Sequence, residues 1–153
     1  MKVLIVYDSL FGNTERIAQA IGSSIGGDVK VLRVGEAGTT ELEELDILIV
    51  GSPTQGGRPT KAIQEFLNKV DKGAIQGRKV ATFDTRYATK MVKLFGYAAD
   101  RIARSLERMG GVLIAPPEAF FVEGTKNTSL KGGELERAKS WAKKVVTDKG
   151  LNQ

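Results

Sequence analysis

Short apolar runs and amphipathic stretches alternate along the whole chain. The runs are residues 3–7, 29–34, 47–50, 80–83 and 112–115, each rich in β-branched side chains. The first, third and last are continuously apolar, as strands buried on both faces of a parallel sheet are. Between the runs lie stripes at helical spacing. Ile17, Ile21 and Ile25 recur every four residues. Ala62, Ile63, Phe66, Leu67 and Val70 form a second stripe, Ile102, Ala103, Leu106 and Met109 a third, and Leu135, Ala138, Ala142 and Val145 a fourth. Gly22, Gly26, Gly73 and Gly110-Gly111 punctuate the helix ends. Residues 35–45 are less regular and read as a loop with one acidic helical turn. The alternation predicts five strands and at least four helices, hence one doubly wound α/β domain over residues 1–153. The tail beyond Thr147 is expected to fray.

Composition narrows the chemistry. Hydrophobic residues make up 41% of the 153, enough for a real core, and histidine and cysteine are both absent. Their absence rules out disulfides, cysteine nucleophiles, Ser–His–Asp triads, zinc and iron–sulfur sites built from this chain's own side chains. No catalytic side chain and no metal site stand out, so a cofactor, or carboxylates and hydroxyls, must carry any reaction. The run at 3–7 ends at Asp8, too short for a signal peptide or a span. No other stretch approaches the roughly 18 apolar residues a span needs, and the expected compartment is the cytoplasm. The net charge of +5 hides a split: residues 1–51 hold four basic and eight acidic side chains, residues 52–153 nineteen and ten. Such a basic excess suits nucleic acid, an acidic partner or a phosphate-bearing ligand. Nucleic acid is disfavoured because the basic residues are not interleaved with aromatics, which are only 7% of the chain.

In open α/β sheets ligands bind beyond the carboxyl ends of the strands. After the first run comes Asp8-Ser9-Leu10-Phe11-Gly12-Asn13-Thr14, opening a helix over 15–25. Its hydroxyls, glycine and asparagine crowd a helix N-terminus, which suits an anion and equally suits a plain N-cap. It is neither a P-loop nor a Gly-x-Gly-x-x-Gly fingerprint. After the third run comes Gly51-Ser52-Pro53-Thr54-Gln55-Gly56-Gly57-Arg58-Pro59-Thr60. Two prolines frame a mobile diglycine, in a connection longer than the usual two to six residues, so a ligand loop fits better than a bare turn. After the fourth run comes Asp84-Thr85-Arg86-Tyr87. Tyr87 suits stacking on a planar ligand, and suits packing at the domain edge rather better.

These three segments, in this order, resemble those of the flavodoxins, and the resemblance covers essentially the whole chain without the segment that long-chain members insert in the last strand. It implies a flavodoxin-like sheet of order 2-1-3-4-5 with FMN at the switch point, both taken from the family rather than from the pattern. The family's Thr/Ser-x-Thr-Gly-x-Thr phosphate loop is matched by Ser9, Gly12, Asn13 and Thr14, with Phe11 in place of the middle threonine. Ser52, Pro53, Thr54, Gln55, Gly56 and Gly57 resemble the second loop, which implies Pro53 and Thr54 near the ribityl chain and Gly56 near flavin N5. Asp84, Thr85, Arg86 and Tyr87 resemble the third, which implies Tyr87 or its neighbours against one ring face. Gln55 and Arg58 stand where many members carry an aromatic residue, leaving the other face open or covered by Leu10 or Phe11. Trp141 lies in the last helix and is expected to pack.

The resemblance implies an electron carrier working between redox partner proteins through the flavin's semiquinone and hydroquinone states, with a Gly56 peptide flip answering the change at N5. Arg58, Lys61, Arg86, Lys90 and Lys93 would form a basic rim that raises the potential and favours partners with an acidic docking face. The alternative is an FMN-dependent NAD(P)H:quinone oxidoreductase, against which stands the lack of any insertion to build a substrate pocket. Whether the chain is an enzyme is left open, with the carrier favoured. A receiver domain is disfavoured because the third run ends in Gly51-Ser52 rather than an aspartate.

Overall fold

A computed structural model describes residues 1–88 and 96–147. Lys90, Lys93 and the tail beyond Thr147 lie outside the described residues. Four long strands form the parallel centre: β1 (Lys2–Tyr7), β2 (Asp28–Arg33), β3 (Ile47–Pro53) and β4 (Lys79–Tyr87). Three further strands complete the sheet: the two-residue β5 (Val112–Leu113) and β7 (Ser129–Leu130), and β6 (Glu118–Glu123). Helices α1 (Asn13–Ser24), α2 (Lys61–Lys69), α3 (Lys72–Ile75), α4 (Ala98–Arg108) and α5 (Glu134–Thr147) fill the connections. Residues 35–45 contribute two 3₁₀ turns, Val34–Glu36 and Thr40–Leu42.

The order across the sheet is β2-β1-β3-β4-β6-β7, with β5 also pairing β4. The 2-1-3-4 core is as expected, but the fifth position is divided. Val80 pairs with Leu113, whereas Phe83 pairs with Glu118, two residues out of step. The intervening Ile114-Ala115-Pro116-Pro117 explains the break, since two consecutive prolines supply no N–H to a ladder. The expected strand at 112–115 is thus a two-residue start. The longer β6 lies beyond the prolines, and β7 folds back antiparallel on it.

Alternate residues of each central strand enter opposite layers. Val3, Ile5, Ile47, Ile49 and Phe83 pack against Ile17, Ile21 and Trp141 of α1 and α5. Leu4, Val6, Leu48, Val50 and Val80 pack against Ile63, Leu67, Ile102 and Leu106 of α2 and α4. Trp141 belongs to this core, edge-to-face with Phe83 at 6.2 Å and Phe120 at 6.0 Å. Gly51 is required on β3 because a Cβ there would fall inside the Phe83 ring.

Two expectations about loops need correction. β3 continues through Gly51, Ser52 and Pro53, and β4 continues through Asp84, Thr85, Arg86 and Tyr87. The cause is pairing on both sides: Ser52 meets Asp84, Pro53 meets Thr85, and β6 supplies Phe121 and Val122 to Arg86 and Tyr87. The polar residues that resemble a third loop are therefore the end of a central strand, paired with β3 on one side and β6 on the other.

Candidate functional site

The carboxyl ends of β1, β3 and β4 converge with the start of α1. The first loop is built around Ser9, whose Oγ accepts the N–H of Gly12 at 3.1 Å and of Glu15 at 3.2 Å. Gly12 is the N-cap of α1 at φ +89°, a conformation open to glycine, and supplies no side-chain cap. Among the described residues, nothing accepts the backbone N–H of Leu10, Phe11, Asn13 or Thr14. Four donors at a helix N-terminus, where the dipole is positive, make a cradle for an anion such as a phosphate ester.

Side chains fix this loop from three directions. Arg33 Nη1 donates to the Ser9 carbonyl at 3.0 Å and to Asp8 Oδ1 at 3.3 Å. Tyr7 Oη donates to Glu15 at 2.9 Å, and burial together with that carboxylate raises its phenol above the usual value. Asn13 Nδ2 reaches the carbonyl and hydroxyl of Thr128 in the β6–β7 turn, at 3.1 and 3.3 Å. Thr14 Oγ1 lies 2.8 Å from Thr85 Oγ1, joining the loop to β4.

The second loop is a small hairpin. Gln55 and Arg58 exchange backbone hydrogen bonds of 2.8 and 3.0 Å. Gly56 and Gly57 between them both have positive φ, +55° and +80°, the pattern of a type I′ turn. The loop is anchored at three points. Ser52 Oγ accepts the Thr60 N–H, Thr54 Oγ1 accepts the Ala98 N–H, and the Gly57 carbonyl accepts from Arg101 Nε at 2.8 Å.

The end of β4 splits by parity. Thr85 turns toward α1, whereas Asp84 turns toward α4 with no solvent exposure of its side chain. Asp84 accepts two bonds from Arg86, at 2.8 and 2.7 Å, and one from the Ala99 N–H at 2.9 Å. Burial raises the Asp84 carboxyl above the usual range, opposed by the Arg86 guanidinium and the Ala99 N–H. The guanidinium also covers the Tyr97 ring, 3.3 Å from its centroid. Tyr87 Oη donates to the Gly124 carbonyl at 2.7 Å.

A cleft of about 90 Å³ opens among these parts. Ten of the anticipated residues line it: Leu10, Phe11, Asn13, Thr14, Pro53, Thr54, Gln55, Thr85, Arg86 and Tyr87. Ser9, Gly12, Ser52, Gly56, Gly57 and Asp84 stand behind or beside it, shaping the loops. Val122 and Thr128 also line it and were not anticipated. The turn signal Gly124 to Asn127 after the last apolar strand was the available clue. Leu10, Phe11 and Tyr87 leave large apolar surface at the rim, Phe11 being 71% exposed. An anion cradle beside exposed planar and apolar side chains fits a molecule with a phosphate tail and a flat ring. The residues present therefore suit FMN. Of the anticipated basic rim, Arg58 and Lys61 are exposed, but Arg86 is neutralised by Asp84.

Residues 4–132 match the flavodoxin domain family. A flavodoxin of Maridesulfovibrio salexigens is 30% identical over 123 residues, covering 74% of this chain and 81% of that protein. An NAD(P)H dehydrogenase (quinone) of Acidovorax ebreus is 29% identical over 179 aligned positions, covering 91% and 87%. Among solved structures, a flavodoxin from the domain Archaea superposes with a TM-score of 0.79 at 24% identity over all of both chains.

Proposed function

The chain belongs to the flavodoxin family of FMN-binding electron-transfer proteins, and we propose that it holds FMN in the cleft at the ends of β1, β3 and β4. The observation that carries this placement is the set of four unclaimed N–H groups around Gly12. They would take the phosphate, assisted by the Ser9 hydroxyl, whose oxygen is occupied by two backbone donors and whose hydrogen is free to donate. Pro53, Thr54 and Gln55 would flank the middle of the cofactor, and Leu10, Phe11 and Tyr87 its ring.

When bound, FMN supplies the redox chemistry, accepting and releasing electrons, and the side chains only hold and tune it. Gly56-Gly57 is the adjustable part. Rotating the peptide between them converts a type I′ turn into type II′, and neither residue has a Cβ to oppose it. The Gly56 carbonyl can thereby face the ring edge or turn away, a hydrogen bond of about 1 kcal/mol being enough to bias the choice. Asp84 and Arg86 hold the strand beneath this loop, so the movement stays confined to the turn.

Electrons pass to redox partner proteins, and we take those partners to present an acidic face toward Arg58 and Lys61. The cytoplasm is the compartment in keeping with that role. The test compares FMN with riboflavin, which lacks the phosphate, by quenching of flavin fluorescence on titration with apoprotein. FMN should bind at least about tenfold more tightly, the effect of roughly 1.4 kcal/mol from charge-assisted donors. Equal affinities would refute the phosphate cradle. Anaerobic NADPH that rapidly bleaches the bound flavin would favour the quinone-reductase alternative instead.

A further inference from the structure

A cavity of about 650 Å³ lies away from the cleft, on the α2/α4 layer. Arg58 of the second loop and Arg101, Arg104 and Arg108 of α4 line it, together with Gln64 and Asn68 of α2. Spacings of three, four and seven residues put the three α4 arginines on one face, spanning about 10 Å along the helix. Arg58, Arg104 and Arg108 are exposed, and among the described residues no carboxylate pairs with any of them. Among the described residues, no acidic side chain lines the cavity. Like-charged guanidinia gathered on one face repel one another, and a bound anion relieves that repulsion.

We propose that this groove docks an acidic segment of a partner protein, one carrying several aspartates or glutamates spaced over about 10 Å. The proposal rests on the carrier role and locates the partner's seat on the flank of the flavin site. Three features select a polypeptide over a nucleotide. Among the described residues, the lining holds no aromatic side chain on which a base would stack. It holds no glycine and no helix N-terminus to cradle a phosphate. Its guanidinium forks are spread over about 10 Å of helix rather than converged on one point, which suits carboxylates set apart along a chain better than a single phosphate group. The groove is also continuous with the second loop, because Arg58 closes the Gly56-Gly57 turn and Arg101 holds the Gly57 carbonyl. A segment seated along α4 thus ends beside the turn that borders the flavin.

The probe is a fluorescein-labelled peptide containing six glutamates, followed by fluorescence anisotropy with FMN-loaded full-length protein at low salt. FMN content is read separately from the flavin absorbance. The peptide should bind, and the double variant R104E/R108E should weaken it about tenfold or more while retaining FMN. K143E/K144E, an equal charge change on α5 across the sheet, should leave binding within about twofold. R104Q/R108Q repeats the test with less perturbation of α4. Failure of FMN to bind defeats the carrier reading. Failure of an FMN-loaded protein to bind the peptide defeats the dock alone, as does equal loss in K143E/K144E. Displacement of the peptide by inorganic pyrophosphate at lower concentration than by unlabelled peptide would overturn the choice of a protein ligand.

Discussion

Replacing Arg86 by alanine tests the structural heart of the third segment. The Asp84 side chain is fully buried and that of Arg86 only 12% exposed, so the pair is desolvated rather than screened at the surface. Removing one partner of such a pair leaves a buried carboxylate supported only weakly, by the Ala99 N–H and the Thr54 hydroxyl. That change costs about 3–5 kcal/mol. For a chain of this length it lowers Tm by roughly 6–20 °C. The carboxylate can escape the cost by taking a proton, and this fixes the pH dependence. Burial already raises the Asp84 carboxyl above its unfolded value, and loss of the guanidinium raises it further. A carboxyl whose folded value is raised favours the fold below the unfolded value, and that contribution is lost as pH rises through the folded value. R86A should therefore be nearly as stable as the parent in mild acid and fall progressively further behind toward pH 8. Urea unfolding at several pH values between 5 and 8 measures this. Adding D84N to R86A should flatten the difference, because no carboxylate then remains to ionise. A loss below about 1 kcal/mol at pH 8, or the same pH slope in R86A and D84N/R86A, would refute the reasoning.

Two further outcomes follow from the packing and the charges. Gly51→Ala puts a methyl group into the Phe83 ring, which is itself fully buried, so thermal unfolding should show a loss of about 1–3 kcal/mol or more. Glu134 is held below its usual value by Arg137, helped by the Phe121 N–H. Its stabilisation is complete above the unfolded carboxylate value and is lost as pH falls through the lower folded one. Glu134→Gln should therefore flatten the acid limb of the stability curve, read from urea midpoints between pH 5 and 2.

The central sheet was legible because burial on both faces leaves a plain mark: 3–7 and 47–50 have almost no polar residue, and only parallel strands between two helix layers read so. The helices were legible from their stripes for the same reason. The strand ends were not. Ser52, Asp84 and Arg86 are polar and look like loop, yet they lie in β3 and β4 because neighbouring strands claim their backbone groups. Side-chain polarity reports on what lies above the strand, not on whether its ladder continues. The fifth strand failed differently: the apolar pattern at 112–115 is real, but Pro116-Pro117 displaces the pairing by two residues and moves most of the strand beyond them. The Arg101, Arg104 and Arg108 face was present in the spacing. What spacing withheld was its convergence with Arg58, some forty positions earlier, which only the packing of α2 beside α4 reveals.

Charge needed the structure most. Read along the chain, the basic excess after residue 51 points to the rim of the flavin site. Several of its members are consumed internally. Arg86 neutralises Asp84, and Arg137 bridges Glu118 and Glu134. Arg78 donates to the carbonyls of Leu42, Leu45 and Ala74, satisfying turn and helix-end acceptors. These cations act as structural counter-charges and donors and project little field outward. Arg58, Arg104 and Arg108 form no ion pair among the described residues, and they share one groove. The field that steers a partner is set by uncompensated charge rather than by net charge. On that ground the flank between α2 and α4 attracts an acidic partner, and Arg58 is the residue that carries that attraction to the flavin loop.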